Sequence, residues 1–306
     1  MPPGARRASA EKPGGAHWTS AGEAGRRPPD VRGEADGACR PAGDVASGRD
    51  REKAVAPRSS VAGVEIFGEE HVESFVRDGF VKVTIGSREQ GEAAQALLWR
   101  QIGLSPDEPE GWREPVVWAA DMTGQGPFGE LVRSPALAAG LDALCGKGGW
   151  QPRGAAGNIP IRFPRRPPAD DRGWHLDANA PQPDGSWGVT ARSHSLLVLM
   201  LFSEVGELDA PTRVRAGSQR DSLGALDDGE VYHYVRAGAL VDEASKDRPV
   251  ALATGSPGDA YLVHPLTVHA AHEHLGDRPR FMAQMPFMLT EPLDPAADTP
   301  LGRALR

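Results

Sequence analysis

At 306 residues the chain is long enough for one large domain or two small ones, with a sizeable buried core. Its 34 Lys and Arg against 42 Asp and Glu leave a formal charge of −8, which argues against a nucleic-acid or anionic-membrane surface as the main partner. The longest apolar run, Leu196 to Phe202, is too short to cross a bilayer, and two cysteines, Cys39 and Cys145, suffice for neither a disulfide framework nor a cysteine zinc site, so a cytoplasmic location is expected.

Residues 1–60 contain no Leu, Ile, Phe or Tyr, cannot bury enough apolar area to offset their ordering entropy, and are expected to form a disordered extension. Order is expected to begin near Val64, and residues 61–306 to form one domain. Glu69 to Asp78 sets Val72, Phe75 and Val76 on one helical face, with Gly79 where a left-handed cap belongs. Phe80 to Ile85 alternates as a strand. Ser87 and Gln90 have capping-box spacing and open a helix that buries Ala94, Leu97, Leu98 and Ile102 before Gly103. Another helix starts at Ser134-Pro135 and runs to about Cys145. Beyond residue 150 short β-rich runs alternate with Gly, Pro and Asp turns: 158–163, 196–204, 212–216, 259–264 and 280–288. Helices first and strands later predict an α+β chain with a mainly β core, a sandwich or barrel backed by N-terminal helices. The long charged stretch 219–248 between strands is expected to act as an insertion or lid.

Four of the nine histidines, His264, His269, His272 and His274, fall within eleven residues after a strand. Some ninety residues earlier stands Trp174-His175-Leu176-Asp177, where an extended backbone turns His175 and Asp177 to one face. A distal histidine from a neighbouring strand would complete two imidazoles and a carboxylate on one face of a metal, the facial triad of non-haem Fe(II) oxygenases. Either His264 or His269 has the position for it. Arg280, heading a strand in alternation with Met282 and Gln284, offers a guanidinium fork suited to the far carboxylate of a dicarboxylic acid such as 2-oxoglutarate. Arg162, on a strand before the metal motif, is a candidate for an anionic substrate group, with a charged loop of Arg165, Arg166, Asp170 and Asp171 as the plainer reading. Trp187 is a candidate pocket wall or core residue. Gly124-Gln125-Gly126-Pro127-Phe128-Gly129 matches a dinucleotide fingerprint literally but lacks the βαβ surroundings such a site needs.

Over residues 65 to 290 the chain resembles the phytanoyl-CoA dioxygenase family of Fe(II)/2-oxoglutarate oxygenases. The resemblance is carried by Asp78-Gly79-Phe80-Val81 at the helix–strand junction, Trp174-His175-x-Asp177, Ala216-Gly217-Ser218, Gly258-Asp259 leading to His269, and Arg280. It implies a double-stranded β-helix, a cupin-like jelly roll. It further implies His175, Asp177 and His269 as iron ligands, Arg280 as the 2-oxoglutarate anchor, and O2-dependent hydroxylation of a small molecule, a secondary metabolite or acyl-type compound, with release of succinate and CO2. Two positions depart from the family pattern: Gln219 stands where many relatives carry a histidine, and Asp209-Ala210-Pro211-Thr212 where many carry Asn-Gly-Pro. The competing classes are a non-redox cupin-like hydrolase or isomerase on the same ligands, and a catalytically idle jelly-roll binding module.

Overall fold

The computed structural model describes residues 67–306; the expected N-terminal extension and the onset of order near Val64 lie outside them. The first helix, α1 (Glu69–Asp78), ends at Gly79 with φ 82°, its N–H returning to Phe75 O. A Cβ at Gly79 would lie 2.3 Å from both Gln219 Oε1 and Thr267 Oγ1, so close approach as well as left-handed backbone requires glycine there. Strand β1 (Phe80–Thr84) follows, then α2 (Arg88–Ile102), whose Ser87–Gln90 capping box forms in both directions. A 3₁₀ turn (Pro109–Gly111), β2 (Val116–Asp121), α3 (Gly126–Val132) and α4 (Pro135–Cys145) complete the N-terminal part. The fingerprint-like glycine stretch is a turn closed by Asp121, whose carboxylate accepts the N–H groups of Thr123, Gly124 and Ala156 at 2.8–3.0 Å.

The remaining strands are β3 (Gly157–Arg162), β4 (Ala180–Pro181), β5 (Trp187–Gly188), β6 (Ser195–Leu201), β7 (Thr212–Arg215), β8 (Val250–Ala253), β9 (Asp259–Val263), β10 (His269–Ala271) and β11 (Arg280–Met288). They pair antiparallel in a six-stranded sheet, β1-β9-β6-β11-β3-β2, a three-stranded sheet, β10-β7-β8, and the small β4-β5 ribbon. From β6 to β11 the chain passes repeatedly between the two larger sheets, the winding of the expected jelly roll. Where a lid was expected, residues 219–248 carry most of α5 (Ser218–Ala225) and all of α6 (Tyr234–Ala244); α7 (Pro300–Arg303) ends the chain. Among the described residues no helix is long and apolar enough to cross a membrane.

Alternation sorts the six-stranded sheet into two faces. Leu197, Leu199, Leu201, Tyr261, Val263 and Met282 meet Ala253 of the smaller sheet in one apolar cluster between the sheets. The intervening Leu196, Val198, Met200, Leu262, Phe281 and Ala283 pack against the helical layer. On that helical side Trp99 of α2 lies 4.8 Å from the Phe281 ring and 5.9 Å from Phe163, and Trp112 lies 5.4 Å from Phe163. Phe281 and Phe163 directly follow Arg280 and Arg162, so anchoring these rings outward turns both arginines to the opposite face.

Gln219 is fully buried away from the strands, donating to Ala304 O at 3.2 Å and touching the α1–β1 junction. His264, the alternative ligand of the sequence, has both ring nitrogens engaged: Nε2 donates to Leu301 O at 3.1 Å and Nδ1 accepts from Leu266 N at 3.1 Å. Burial pushes its pKa down to about 3, against a small rise from the Leu301 carbonyl. In this state the unfolded chain binds more protons than the folded one between pH 6.5 and about 3, so the stability His264 confers is full above 6.5 and is lost as pH falls. Urea denaturation at pH 7 and pH 5 should show about 2 kcal/mol of acid destabilisation that disappears in His264→Gln. An equal pH dependence in the variant would assign the loss to other groups.

Candidate metal and anion site

His175 and His269 face each other as a backbone-bonded pair: His175 N–H donates to His269 O at 3.0 Å, and His269 N–H to His175 O at 3.1 Å. Reciprocal pairing of this kind puts both side chains on one face, and Asp177, two residues on, shares it. Each imidazole is oriented by the carbonyl two residues before it. His175 Nδ1 lies 2.8 Å from Gly173 O and His269 Nδ1 3.0 Å from Thr267 O. Because a carbonyl only accepts, both Nδ1 atoms carry the proton and both Nε2 atoms present a lone pair.

Those lone pairs converge with the Asp177 carboxylate. Oδ1 of Asp177 is 3.6 Å from each Nε2, and one ligand atom from each of the three residues falls within 4.8 Å of the others. His269 Nε2 is buried without a hydrogen-bond partner. Three electron-pair donors facing one point, one of them orphaned, is an arrangement that a divalent cation would satisfy. Asp177 keeps 46% of its side chain exposed; its partial desolvation opposes the negative charge, but the two imidazoles outweigh it and hold the carboxyl well below the usual range. Burial likewise opposes a charged His175, and Asp177 outweighs it, raising the imidazole's proton affinity.

Behind this face, Trp174 lies under two guanidiniums of β7, Arg213 at 4.6 Å and Arg215 at 4.2 Å from its ring. Arg215 is in turn tied to α6 through Asp242 and Ser245. At Gly238 of α6 an added Cβ would lie 3.3 Å from Trp174 O and 3.9 Å from His175 Cβ. The insertion thus braces the strand that carries His175.

Arg280 is buried, and among the described residues no carboxylate pairs with it. Its Nη1 donates to Ala210 O at 2.7 Å and its Nε has no partner. Burial lowers its proton affinity well below the ordinary value, and Arg162 lowers it further. It faces the inter-sheet space that also receives His269. Met282, on its side of β11, meets Thr212 of β7 at 3.9 Å, and Val214, on Thr212's side of β7, is opposite His269. Ala210 adopts φ 52°, a left-handed conformation costly for a residue with a Cβ, and its carbonyl is what Arg280 holds.

The other candidates separate. Arg162 lies directly opposite Arg280 in the β3–β11 pairing and makes a bidentate pair with Asp171, at 3.1 and 2.6 Å. Trp187 is half-buried on β5 opposite Pro181, in the ribbon that follows Asp177. Arg278 is 61% exposed and reaches in to donate to the buried Asp209 at 2.7 Å, because Asp209 is held in the loop by Gly206 N–H and needs a cation. His272 Nδ1 turns to the Glu273 carbonyl, whereas His274 is buried with Nε2 donating to Arg278 O and Nδ1 left without a partner. The residues that sequence reasoning passes over are Gly173 and Thr267, which act through carbonyls that no side chain announces, as does Ala210, singled out in the sequence only for its departure from the family pattern. Gly238→Val should weaken divalent-metal affinity about tenfold while leaving the far-UV spectrum unchanged, since it presses on the His175 backbone without removing a ligand; unaltered affinity in a metal titration would show that α6 does not position that strand.

The comparisons with known proteins agree with this architecture. The phytanoyl-CoA dioxygenase (PhyH) family model matches residues 118–282. Among solved structures, the non-heme alpha-ketoglutarate-dependent carbocyclase SnoK from nogalamycin biosynthesis superposes with a TM-score of 0.50 at 19% identity, over 72% of this chain and 83% of its own. The epimerase SnoN, solved with Fe3+, alpha-ketoglutarate and nogalamycin RO, gives 0.52 at 19% identity, over 72% and 82%. HygX from Streptomyces hygroscopicus, solved with nickel, 2-oxoglutarate and hygromycin B, gives 0.49 at 14% identity, over 73% and 88%. No curated protein matches the chain in sequence. Since the family model spans more than half of the chain and the matched segment holds His175, Asp177, His269 and Arg280, the protein belongs to the phytanoyl-CoA dioxygenase family.

Proposed function

We propose that the protein is an Fe(II)- and 2-oxoglutarate-dependent oxygenase that hydroxylates a C–H bond of a small molecule. One observation carries the reading: a His–Asp–His cluster with an orphaned Nε2 shares an interior with a buried guanidinium that has no carboxylate partner. A metal-dependent hydrolase on the same three ligands would have no use for that unpaired cation, whereas a dicarboxylate cosubstrate needs it.

His175, Asp177 and His269 would hold the ferrous ion on one face, leaving the opposite positions for cosubstrate and O2. When bound, the ion, 2-oxoglutarate and O2 supply the oxidising chemistry, with succinate and CO2 as coproducts. The chain's own residues set the geometry. Gly173 O and Thr267 O fix the Nδ1–H tautomers so that both Nε2 lone pairs stay available. Arg280 would take the far carboxylate in a bidentate way, with Ala210 O holding one end of its fork. Leu199, Leu201, Tyr261 and Met282 form an apolar cluster on the Arg280 side of the six-stranded sheet. Asp177, a carboxylate, would serve as the third ligand of the ion, which favours hydroxylation over halogenation.

For the organic substrate we place Trp187 as a wall on the β4–β5 ribbon next to Asp177, and the 226–235 segment beside it, where Tyr232 pairs with Val189. SnoK and SnoN, similar in fold, are named for nogalamycin biosynthesis and for carbocyclisation and epimerisation, so product mass is the decisive readout: one added oxygen for hydroxylation, no change or two fewer hydrogens otherwise.

Asp177→Ala should abolish 2-oxoglutarate-dependent succinate formation in a folded protein, and full retention would overturn the ligand set. Arg280→Leu should raise the 2-oxoglutarate concentration for half-maximal turnover at least tenfold, as expected for loss of a charge-assisted bidentate pair. An unchanged concentration dependence would remove Arg280 from the anchor.

A further inference from the structure

Arg162 and Arg280 are direct partners across β3 and β11, so their side chains leave the sheet side by side on the same face. Like charges in that position repel, and burying them adds a desolvation cost. Arg280 is 1% exposed and the Arg162 side chain 11%. Among the described residues only one carboxylate serves the two: Asp171 binds Arg162 through both of its oxygens, at 3.1 and 2.6 Å. Nothing of opposite charge is bonded to Arg280 among the described residues, and the Nε atoms of both arginines are buried without partners. The pair therefore holds one positive charge more than the described residues neutralise and leaves both Nε–H donors unused, which is the chemistry of a built anion site.

Asp171 differs from the two arginines in being half-exposed, on the loop between β3 and Trp174. A solvated carboxylate can leave a guanidinium at small cost, whereas a buried guanidinium gains from any anion that reaches it. We infer that Arg162 is a second positioning residue for the distal carboxylate of the dicarboxylate cosubstrate, and that Asp171 is an internal carboxylate that competes with the cosubstrate for it. This rests on the oxygenase reading above and moves Arg162 from the organic substrate to the cosubstrate. The consequence is a set-point for cosubstrate affinity. Asp171 keeps the empty site neutralised and weakens binding, since part of the interaction energy of the incoming carboxylate goes into displacing it. The same loop leads through Gly173, whose carbonyl orients His175, so the competing carboxylate sits four residues from a metal ligand.

The test is the dissociation constant of 2-oxoglutarate from the Mn(II)-loaded full-length protein, measured by anaerobic calorimetry, with 2-oxovalerate as the control that lacks the distal carboxylate. Asp171→Asn should tighten 2-oxoglutarate about tenfold and Arg162→Gln should weaken it about tenfold, the size of one charge-assisted interaction, while neither changes 2-oxovalerate. Both variants should also lower the thermal midpoint without ligand, and 2-oxoglutarate should restore more of it in Asp171→Asn than in Arg162→Gln. If Asp171 serves only to fasten the loop, Asp171→Asn leaves 2-oxoglutarate affinity unchanged or weakens it, and the competition is refuted. If Arg162→Gln shifts both ligands equally, its role is general to the fold and not to the distal carboxylate. If the unmodified protein takes up Mn(II) but binds neither keto acid, the cosubstrate assignment fails as well.

Discussion

The reciprocal pair of backbone hydrogen bonds between His175 and His269 is the constraint on which the site depends. It joins segments ninety residues apart in sequence, fixes two imidazoles and a carboxylate on one face, and leaves the ring orientation to two carbonyls each placed two residues upstream. Because the pairing is made by the main chain, the positions of the three side chains are set by register, and a one-residue slip would turn His269 away from His175 and Asp177. Most of the surrounding structure serves to hold that register. Trp174 is held by the cations of β7, and α6 is keyed to the Trp174 carbonyl at a glycine.

A second device governs the other end of the interior. The cluster of Trp99, Trp112, Phe163 and Phe281 draws every second side chain of β3 and β11 outward, and alternation sends Arg162 and Arg280 inward. Apolar burial of the aromatic rings thus offsets the cost of two buried guanidiniums, since the same residues that stabilise the sheet place the charges. The left-handed Ala210 belongs to the same arrangement, its carbonyl aimed at Arg280, which of the two lacks a carboxylate among the described residues.

Much of this was legible in the sequence, and unevenly so. Helices with local end signals came out at their observed limits: α1 before Gly79, α2 after the Ser87 capping box, α4 behind Ser134-Pro135. The apolar β6 and the long β11 stood out for the same reason, being dense local patterns. Strands β8 and β10 did not, being only four and three residues long, and β2 was passed over because its exposed Trp118 breaks the alternation of a strand with one buried face. The helix α6 was hidden by the glycine in its middle and by exposed Tyr234 and Val235. Gly238 lowers local propensity for the sake of close packing on Trp174, a reason no local pattern contains. At the site, the His-x-Asp spacing and Arg280 were readable from alternation. The choice between His264 and His269 was not, since it turns on whether the ring nitrogens are already bonded by Leu266 and Leu301. The Arg162–Asp171 pair was visible only as a charged stretch, because its meaning comes from the cross-strand neighbour Arg280.

The central claim is that one interior binds a ferrous ion on His175, Asp177 and His269 together with 2-oxoglutarate held by Arg280. It is tested most directly by anaerobic titration of the Fe(II)-loaded protein with 2-oxoglutarate, followed in the visible. The account predicts a weak charge-transfer absorption that rises to saturation with one equivalent of cosubstrate and is lost in His269→Ala. Tight iron binding with no absorption on adding 2-oxoglutarate would contradict it and point to a metal site without cosubstrate chemistry.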